Sequence, residues 1–411
     1  MDALQSAVEE PLEQRTARPT GRAAHPMLAP EQATPLNLVV LQATPFCNID
    51  CRYCYLPDRT DTSRMSFETL RKAARFVRDL RTASGTYKIV WHAGEPCVLP
   101  ASWYARAHEI LSSELGEDRV TFHVQTNATL LSPEWIRLLR DDPRCEIGVS
   151  IDGPAEIHDA HRRTRSGKGT HARVMAGVGA LRDAGIPFGC IAVITGATLD
   201  HPDAFYDFFV ELGGSFLGLN LEELEGAHRS SSLLGKTTEV RFRRFIRRLA
   251  ELWMRDDGKL KIRELVRFRA ALAALPPDEP RAMAPQSDAK PWGVVSIDVR
   301  GNVHTFSPEL LGIDVPGIGR SLGHVDADTW RTIQGRGELV VLADDIASGI
   351  NECQNTCDYY RYCGGGSPSN KWFEHGTFAA TETMYCRFAI KAILDEYLVA
   401  ARNVESRASA E

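Results

Sequence analysis

Residues Leu41 to Leu56 read LQATPFCNIDCRYCYL, and the rest of the chain is understood from them. Cys47, Cys51 and Cys54 stand in the spacing C-x3-C-x2-C, with the aromatic Tyr53 just before the third thiol. They follow LNLVVLQA, Leu36 to Ala43, a near-continuous apolar run of the kind buried as a strand in parallel sheets. Three soft thiolates on one short loop suit three irons of a 4Fe–4S cube, leaving the fourth iron open to a small molecule. A structural zinc loop or three unrelated thiols are the alternatives. Zinc sites commonly pair C-x2-C units and close with a fourth ligand, which this loop does not offer.

Outward from the loop, the 411 residues are 43% hydrophobic and 25% charged, the balance of an ordinary globular protein. A net charge of −6 gives no basic footprint for nucleic acid. No apolar run approaches the ~20 residues needed to span a membrane, and the arginines near the N-terminus precede no signal-like apolar core. A cytoplasmic setting is therefore expected, in which ten cysteines serve as metal ligands rather than disulfides. Seven cysteines fall in two tight groups. Cys97, Cys145 and Cys190 stand alone beside strand patterns and are read as inert core residues.

Residues 1–35 are rich in Pro, Ala, Arg and Glu without periodicity, and are expected to be disordered. From Leu36 the chain alternates strand and helix. The pattern predicts strands at Tyr87–Trp91, Val120–Gln125, Glu146–Ile151, Phe188–Ile194 and Ser215–Leu221. Between them it predicts helices, two of them capped by Ser66 and Ser132. Six strand–helix units imply right-handed crossovers and a parallel sheet. The expected fold is α/β: a partial (β/α)6 TIM barrel over residues 36–256, then a helical, Pro-rich connector over 257–290. Residues 291–411 form the last module, opening with a β-hairpin about Gly301-Asn302. Beyond the hairpin, short helices are expected around four cysteines, with a closing helix from about Arg387 to Val399.

Functional groups of such barrels gather at the C-terminal ends of strands. There the sequence carries His92-Ala93-Gly94-Glu95-Pro96, Gln125-Thr126-Asn127 and Ser150-Ile151-Asp152-Gly153-Pro154, with Arg162 and Arg163 following. Together with the cysteine loop, these elements resemble the radical S-adenosylmethionine (SAM) superfamily. The resemblance implies a 4Fe–4S cluster with one open iron on Cys47, Cys51 and Cys54. It implies SAM held near Tyr53, Gly94, Glu95, Pro96, Gln125, Thr126, Asn127, Ser150, Asp152 and Arg162 or Arg163. Ala93 stands where the family carries its first glycine.

The second cysteine group, Cys353-x3-Cys357-x5-Cys363 and then Cys386, wraps around Gly364-Gly365-Gly366. Structural zinc is the alternative on spacing alone. The segment resembles the SPASM extension of peptide-modifying radical SAM enzymes. Ser307 and Ser367 stand near positions where that extension carries further cysteines. The resemblance therefore implies one fully ligated auxiliary 4Fe–4S cluster, on Cys353, Cys357, Cys363 and Cys386, and a second one lost. A finer likeness lies in Cys54–Arg59, Leu219–Gly226 with Ser230–Ser232, and Thr305–Gly312. These stretches resemble the GrrM/OscB-type maturases, which join an aromatic ring to a neighbouring side chain in ribosomally made peptides, giving cyclophanes.

The expected partners are then a precursor peptide and an electron donor such as flavodoxin or ferredoxin. With no spare N-terminal module in view, the leader is expected to dock on the barrel, the extension or another protein. Glu222 and Glu309 are the candidate proton acceptors, although Glu222, Glu223 and Glu225 also read as the start of a solvated loop. The competing functions are thioether formation, formylglycine formation, epimerisation or small-molecule dehydrogenation. From another class come a non-catalytic iron–sulfur carrier and a zinc-stabilised peptide-binding scaffold.

Overall fold

The computed structural model describes residues 36–275 and 285–408, apart from residues 81 and 83. The expected disorder of residues 1–35 and part of the connector lie outside the described residues. Six parallel strands follow one another across the sheet: β1 (Leu38–Leu41), β2 (Tyr87–Trp91), β3 (Val120–Thr126), β4 (Cys145–Ser150), β5 (Phe188–Ile194) and β6 (Leu217–Leu221). The face these strands turn toward the surrounding helices is apolar: Val39, Ile89, Phe122 and Cys145 are partners in register and are buried. The alternate residues Val90, His123, Gln125 and Ser150 face the barrel interior.

Helices close each crossover where the side-chain pattern demands. In α1 (Phe67–Arg78), Leu70, Ala73, Ala74 and Val77 recur at helical spacing and are buried, while the Ser66 side chain caps the Thr69 N–H. Next come α2 (Ala101–Leu115) and α3 (Pro133–Asp141), the latter with Ser132 as cap and proline in the first turn. A short α4 (Ala155–His161), absent from the sequence expectation, fits between Pro154 and Arg162. The series continues with α5 (His171–Asp183), α6 (Pro202–Leu212), the long α7 (Lys236–Arg255) and α8 (Arg263–Ala274).

The extension does not begin a separate sheet. Its first strand, β7 (Val294–Ile297), pairs in parallel with β1, Leu38 opposite Val294 and Leu41 opposite Ile297. From there β8 (Asn302–Thr305) and β9 (Gly323–His324) continue antiparallel, giving one nine-stranded sheet in the order β6-β5-β4-β3-β2-β1-β7-β8-β9. The short α9 (Trp330–Gln334) follows. Where short helices alone were expected, α10 (Gly337–Thr356) runs for 20 residues. Leu339, Leu342, Ala343, Ile346, Ile350 and Cys353 form its buried stripe, a helical period present in the sequence. Beyond it lie α11 (Tyr360–Cys363) and α12 (Pro368–His375). A π-helical turn, Cys386–Ala392, leads into α13 (Ile393–Ala408). This last helix lies along α7, joined by the ion pairs Arg243–Asp395 at 2.9 Å and Arg247–Glu396 at 2.7 Å.

Candidate active site

A cavity of about 520 Å³ opens at the C-terminal ends of the barrel strands. Its upper wall is the cysteine loop after β1, with Cys47, Cys51 and Cys54 all lining it as free thiols. Arg59 ties the loop together, bonding Asp50 at 2.5 Å and the Cys51 carbonyl at 3.3 Å. Burial pushes the Cys47 and Cys51 thiols up to about 12, so these groups become ligands only when a metal displaces the proton.

After β2, Gly94 passes so close to the loop that a Cβ would lie 2.0 Å from the Thr44 carbonyl oxygen. Ala93, the residue in place of a glycine, sits at φ 65°, in the left-handed region, its carbonyl held at 2.7 Å by the Gln42 amide. Glu95 is only 2% exposed and lines the cavity. Burial raises its carboxyl, while the Asn127 N–H at 2.8 Å, the Thr126 hydroxyl at 2.5 Å and the Cys97 N–H at 2.8 Å draw it back. A carboxylate fixed by three donors and facing a cavity suits an ammonium group. Pro96 begins a tight turn beneath it and accepts the Tyr104 hydroxyl at 3.1 Å, without reaching the cavity.

Gln125, Thr126 and Asn127 at the end of β3 and Ser150 at the end of β4 all line the cavity. Gln125 donates to Ser150 at 2.9 Å, and Asn127 donates to Asn48 of the cysteine loop at 2.9 Å. Of the two arginines, Arg162 lines the cavity and Arg163 turns away to donate to the Asp159 carbonyl at 2.8 Å. Arg162 is buried, pairs with Asp152 at 3.0 Å and lies over the Tyr53 ring. Tyr53 in turn donates its hydroxyl to Asp152. Asp152 is thus committed to Arg162, Tyr53 and the Val193 N–H at 3.0 Å, which leaves it in the wall rather than on the surface of the cavity.

The lower wall is acidic. Glu223 and Glu225 come from the loop after β6, Asp288 from the connector, Glu309 from the turn after β8. Expected in a solvated loop, Glu223 and Glu225 are instead enclosed, because α12 covers that loop. Asn370 donates to Glu223 at 2.5 Å, and Ser369 and Asn370 donate to Glu225 at 2.8 Å and 3.0 Å. Burial raises the carboxyls of Glu223, Glu225, Glu309 and Asp288 above the ordinary range. Glu222, by contrast, points out of the cavity. Its carboxylate accepts from the Ser232 N–H at 2.8 Å and from the Ser232 hydroxyl, and lies 3.5 Å from His228. It fixes the loop that carries Glu223 and Glu225.

The second cysteine group surrounds a separate cavity of about 180 Å³, lined by Cys353, Cys357, Cys363 and Cys386. Gly364, Gly365 and Gly366 all adopt positive φ, which lets the chain turn tightly after Cys363. The Gly365 N–H reaches the Cys363 sulfur at 3.4 Å. The two serines singled out in the sequence meet. Ser307 and Ser367 hydrogen-bond at 3.2 Å, and Ser367 reaches Ser369 at 3.1 Å.

Among the described residues, no three His, Cys, Asp or Glu side chains converge on a point where one metal ion would sit. A zinc ion needs its ligands crowded within ~2.3 Å of one centre. A 4Fe–4S cube spreads its thiolates over separate corners. Three free thiols line one cavity and four the other, and these all-sulfur donor sets suit iron–sulfur clusters.

A family model for the radical SAM superfamily matches residues 41–209. An uncharacterized protein of Synechocystis sp. is 35% identical over 367 residues, covering 88% of this chain and 91% of that protein. The chain belongs to the radical SAM superfamily. A serine-type anaerobic sulfatase-maturating enzyme of Bacteroides thetaiotaomicron is 25% identical over 366 residues, covering 83% of this radical SAM protein and 84% of the relative. Among solved structures, native anSMEcpe with bound AdoMet and Kp18Cys peptide superposes with a TM-score of 0.71 at 20% identity, covering 91% of this chain and 100% of that one. Streptococcus suis SuiB bound to precursor peptide SuiA gives 0.59 at 16%, covering 86% and 76%. Both are likenesses of fold. Asp288, Ser369, Asn370 and Tyr385 complete this radical SAM cavity and had no signal in the sequence, because only folding brings the end of the connector and the extension across the mouth of the barrel.

Proposed function

We propose that this radical SAM enzyme cross-links a ribosomally made peptide, joining an aromatic ring carbon to a side-chain carbon in a cyclophane. One observation carries the reading. The three stretches of finer likeness, far apart in sequence, line one cavity through Cys54, Tyr55 and Leu56, through Asn220, Leu221, Glu223 and Glu225, and through Pro308 and Glu309.

In this reading Cys47, Cys51 and Cys54 hold the open 4Fe–4S cluster, and Cys353, Cys357, Cys363 and Cys386 hold the auxiliary one. When bound, the reduced cluster and SAM supply hydrogen-atom abstraction from carbon. Glu95 anchors the SAM ammonium group, Arg162 is the cation available to its carboxylate, and Gln125, Asn127 and Ser150 offer the remaining polar contacts. Asp152 holds Arg162 and Tyr53 in place. The walls hold the peptide side chains in fixed contact and exclude water, so that position supplies the selectivity. Joining the two carbons removes one hydrogen atom, which leaves with the cleaved cofactor fragment, and then a proton and an electron as the ring regains aromaticity; the cluster that Cys353, Cys357, Cys363 and Cys386 would hold is the group available to take the electron. Glu309 faces the cavity and is the proton acceptor, with Glu223 beside it as an alternative carboxylate. Precursor peptide and a low-potential electron donor such as flavodoxin or ferredoxin are the partners.

The named sulfatase-maturating relatives favour a second reading, formylglycine formation from a peptide serine or cysteine. Both a cyclophane and a formylglycine made from serine remove two hydrogens, so intact mass does not separate them. The test is anaerobic turnover with a synthetic peptide of repeated aromatic triads, and with any short peptide encoded beside this protein's gene, read by tandem mass spectrometry and hydrazide trapping. A product two hydrogens lighter, unreactive to hydrazide and resistant to fragmentation between two nearby residues, supports the cyclophane. A hydrazide adduct overturns it in favour of the aldehyde. Absence of SAM cleavage in reconstituted, reduced protein overturns both and leaves a carrier or scaffold.

A further inference from the structure

Lys371, the fourth residue of α12, is only 2% exposed. Lysine is almost never buried to that degree unless paired, because desolvating an ammonium is costly. It lines the 180 Å³ cavity with the four cysteines. Burial lowers the pKa of its ammonium, and the thiols of Cys353, Cys363 and Cys386 draw it back up. The backbone makes room for it: a Cβ on Gly349 of α10 would come within 2.9 Å of its Nζ. Lys391 also lines this cavity, but its charge is already matched by Glu382 at 3.3 Å. Among the described residues no carboxylate pairs with Lys371, so the fold sets its cation against the four thiols.

We propose that Lys371 is the charge partner of the auxiliary cluster and raises its reduction potential, a proposal that rests on Cys353, Cys357, Cys363 and Cys386 holding a 4Fe–4S cluster. Four thiolates make that site anionic, and reduction adds one electron and no proton. An ammonium in a low-dielectric cavity stabilises the reduced state more than the oxidised one, so the cluster accepts an electron more readily. The sequence gives Lys371 no cue. Seven residues separate it from Cys363, and only α12 turning back over the cavity brings it there.

The test uses the full chain with Cys47, Cys51 and Cys54 replaced by Ala, so that iron and electron paramagnetic resonance report the auxiliary site alone. Lys371→Met and Lys371→Arg are then compared by iron content and by redox titration. Lys371→Met should keep its iron while the reduced-to-oxidised ratio at a given potential falls tenfold or more, about 59 mV for a one-electron couple. Lys371→Arg should stay near the parent. Full iron with an unchanged midpoint in Lys371→Met overturns the proposal. If Lys371→Met loses its iron and Lys371→Arg keeps both iron and midpoint, charge is what the site requires and the proposal stands. Loss of iron from both means that shape, not charge, matters, and the proposal fails. A parent without iron overturns the four-cysteine reading itself, and the role of Lys371 falls with it.

Discussion

Glu95 shows how much a single side chain is asked to do. Its carboxylate accepts three donors and keeps a face toward the cavity. Glu95→Ala should weaken SAM binding by about 1.5–3 kcal/mol, the range for a hydrogen bond to a charged group. Equilibrium dialysis of the reconstituted protein, with iron content unchanged, measures it; unaltered affinity would return Glu95 to a purely structural role. The two carboxylates first singled out, Glu222 and Glu309, should separate in the same way. If Glu309 takes the proton as proposed, Glu309→Gln should still cleave SAM but lower the yield of cross-linked peptide. Glu222→Gln should instead lower the melting temperature, since it unties the Ser232 contacts of the loop. Quantifying 5′-deoxyadenosine and peptide product side by side checks both; a coupled, wild-type product yield in Glu309→Gln would remove Glu309 from the chemistry.

At the scale of elements, the decisive pairings are β7 against β1 and α12 over the loop after β6. The first places Ser307 and Glu309, which follow β8, beside the barrel mouth. The second brings Ser367 and Ser369 against Ser307. At the two positions where the sequence resemblance led to further thiols being expected, Ser307 and Ser367 bond each other, and hydroxyls are poor iron ligands. The reconstituted protein should therefore contain about eight irons, two cubes, rather than about twelve. Cys363→Ala should lower that count to about four irons, one cube, and loosen α11 and α12 together, because metal binding is coupled to local folding. Iron analysis with hydrogen exchange over residues 353–386 tests this, and a count near twelve in homogeneous protein would show a further ligated cluster.

For the whole molecule, the acidic wall has a cost that depends on pH. The carboxyls of Glu223, Glu225, Glu309 and Asp288 are all raised by burial, so the folded chain holds protons that the unfolded chain would release. Stability from these groups is full below the ordinary carboxylate range and is lost as pH rises through their folded values. Buried His92, His158 and His304, lowered to about 4 by desolvation, act in the opposite sense, but only below the ordinary histidine value of about 6.5. Between about pH 6.5 and pH 8 the carboxylates therefore govern this part of the profile. The melting temperature of the iron-free protein should fall across that window, and Glu309→Gln should flatten the fall. Equal slopes in wild type and variant would show that Glu309 does not carry a raised carboxyl.

The sequence by itself determined the barrel and its upper wall. Apolar strands of period and length suited to a parallel sheet, the spacing of Cys47, Cys51 and Cys54, and polar residues at successive strand ends are local patterns, and local patterns survive in a linear reading. The capped helices were legible for the same reason, since Ser66 and Ser132 act on backbone groups three residues away. The long α10 was legible too, in its apolar period, although short helices were expected there. What only the tertiary structure decided is the lower wall. Glu223 and Glu225 look like solvated charges until α12 covers them, Glu222 looks like their equal until Ser232 claims it, and Lys371 looks like any surface lysine until its helix turns over four thiols. Glu223 and Glu225 are enclosed by contacts from a segment more than a hundred residues away, such as Glu225 with Ser369, which no short window of sequence contains. Ser232 is near Glu222 and Cys363 near Lys371 in sequence, but only the folded turn of the chain points these side chains at each other, so the chemistry of these sites belongs to the fold.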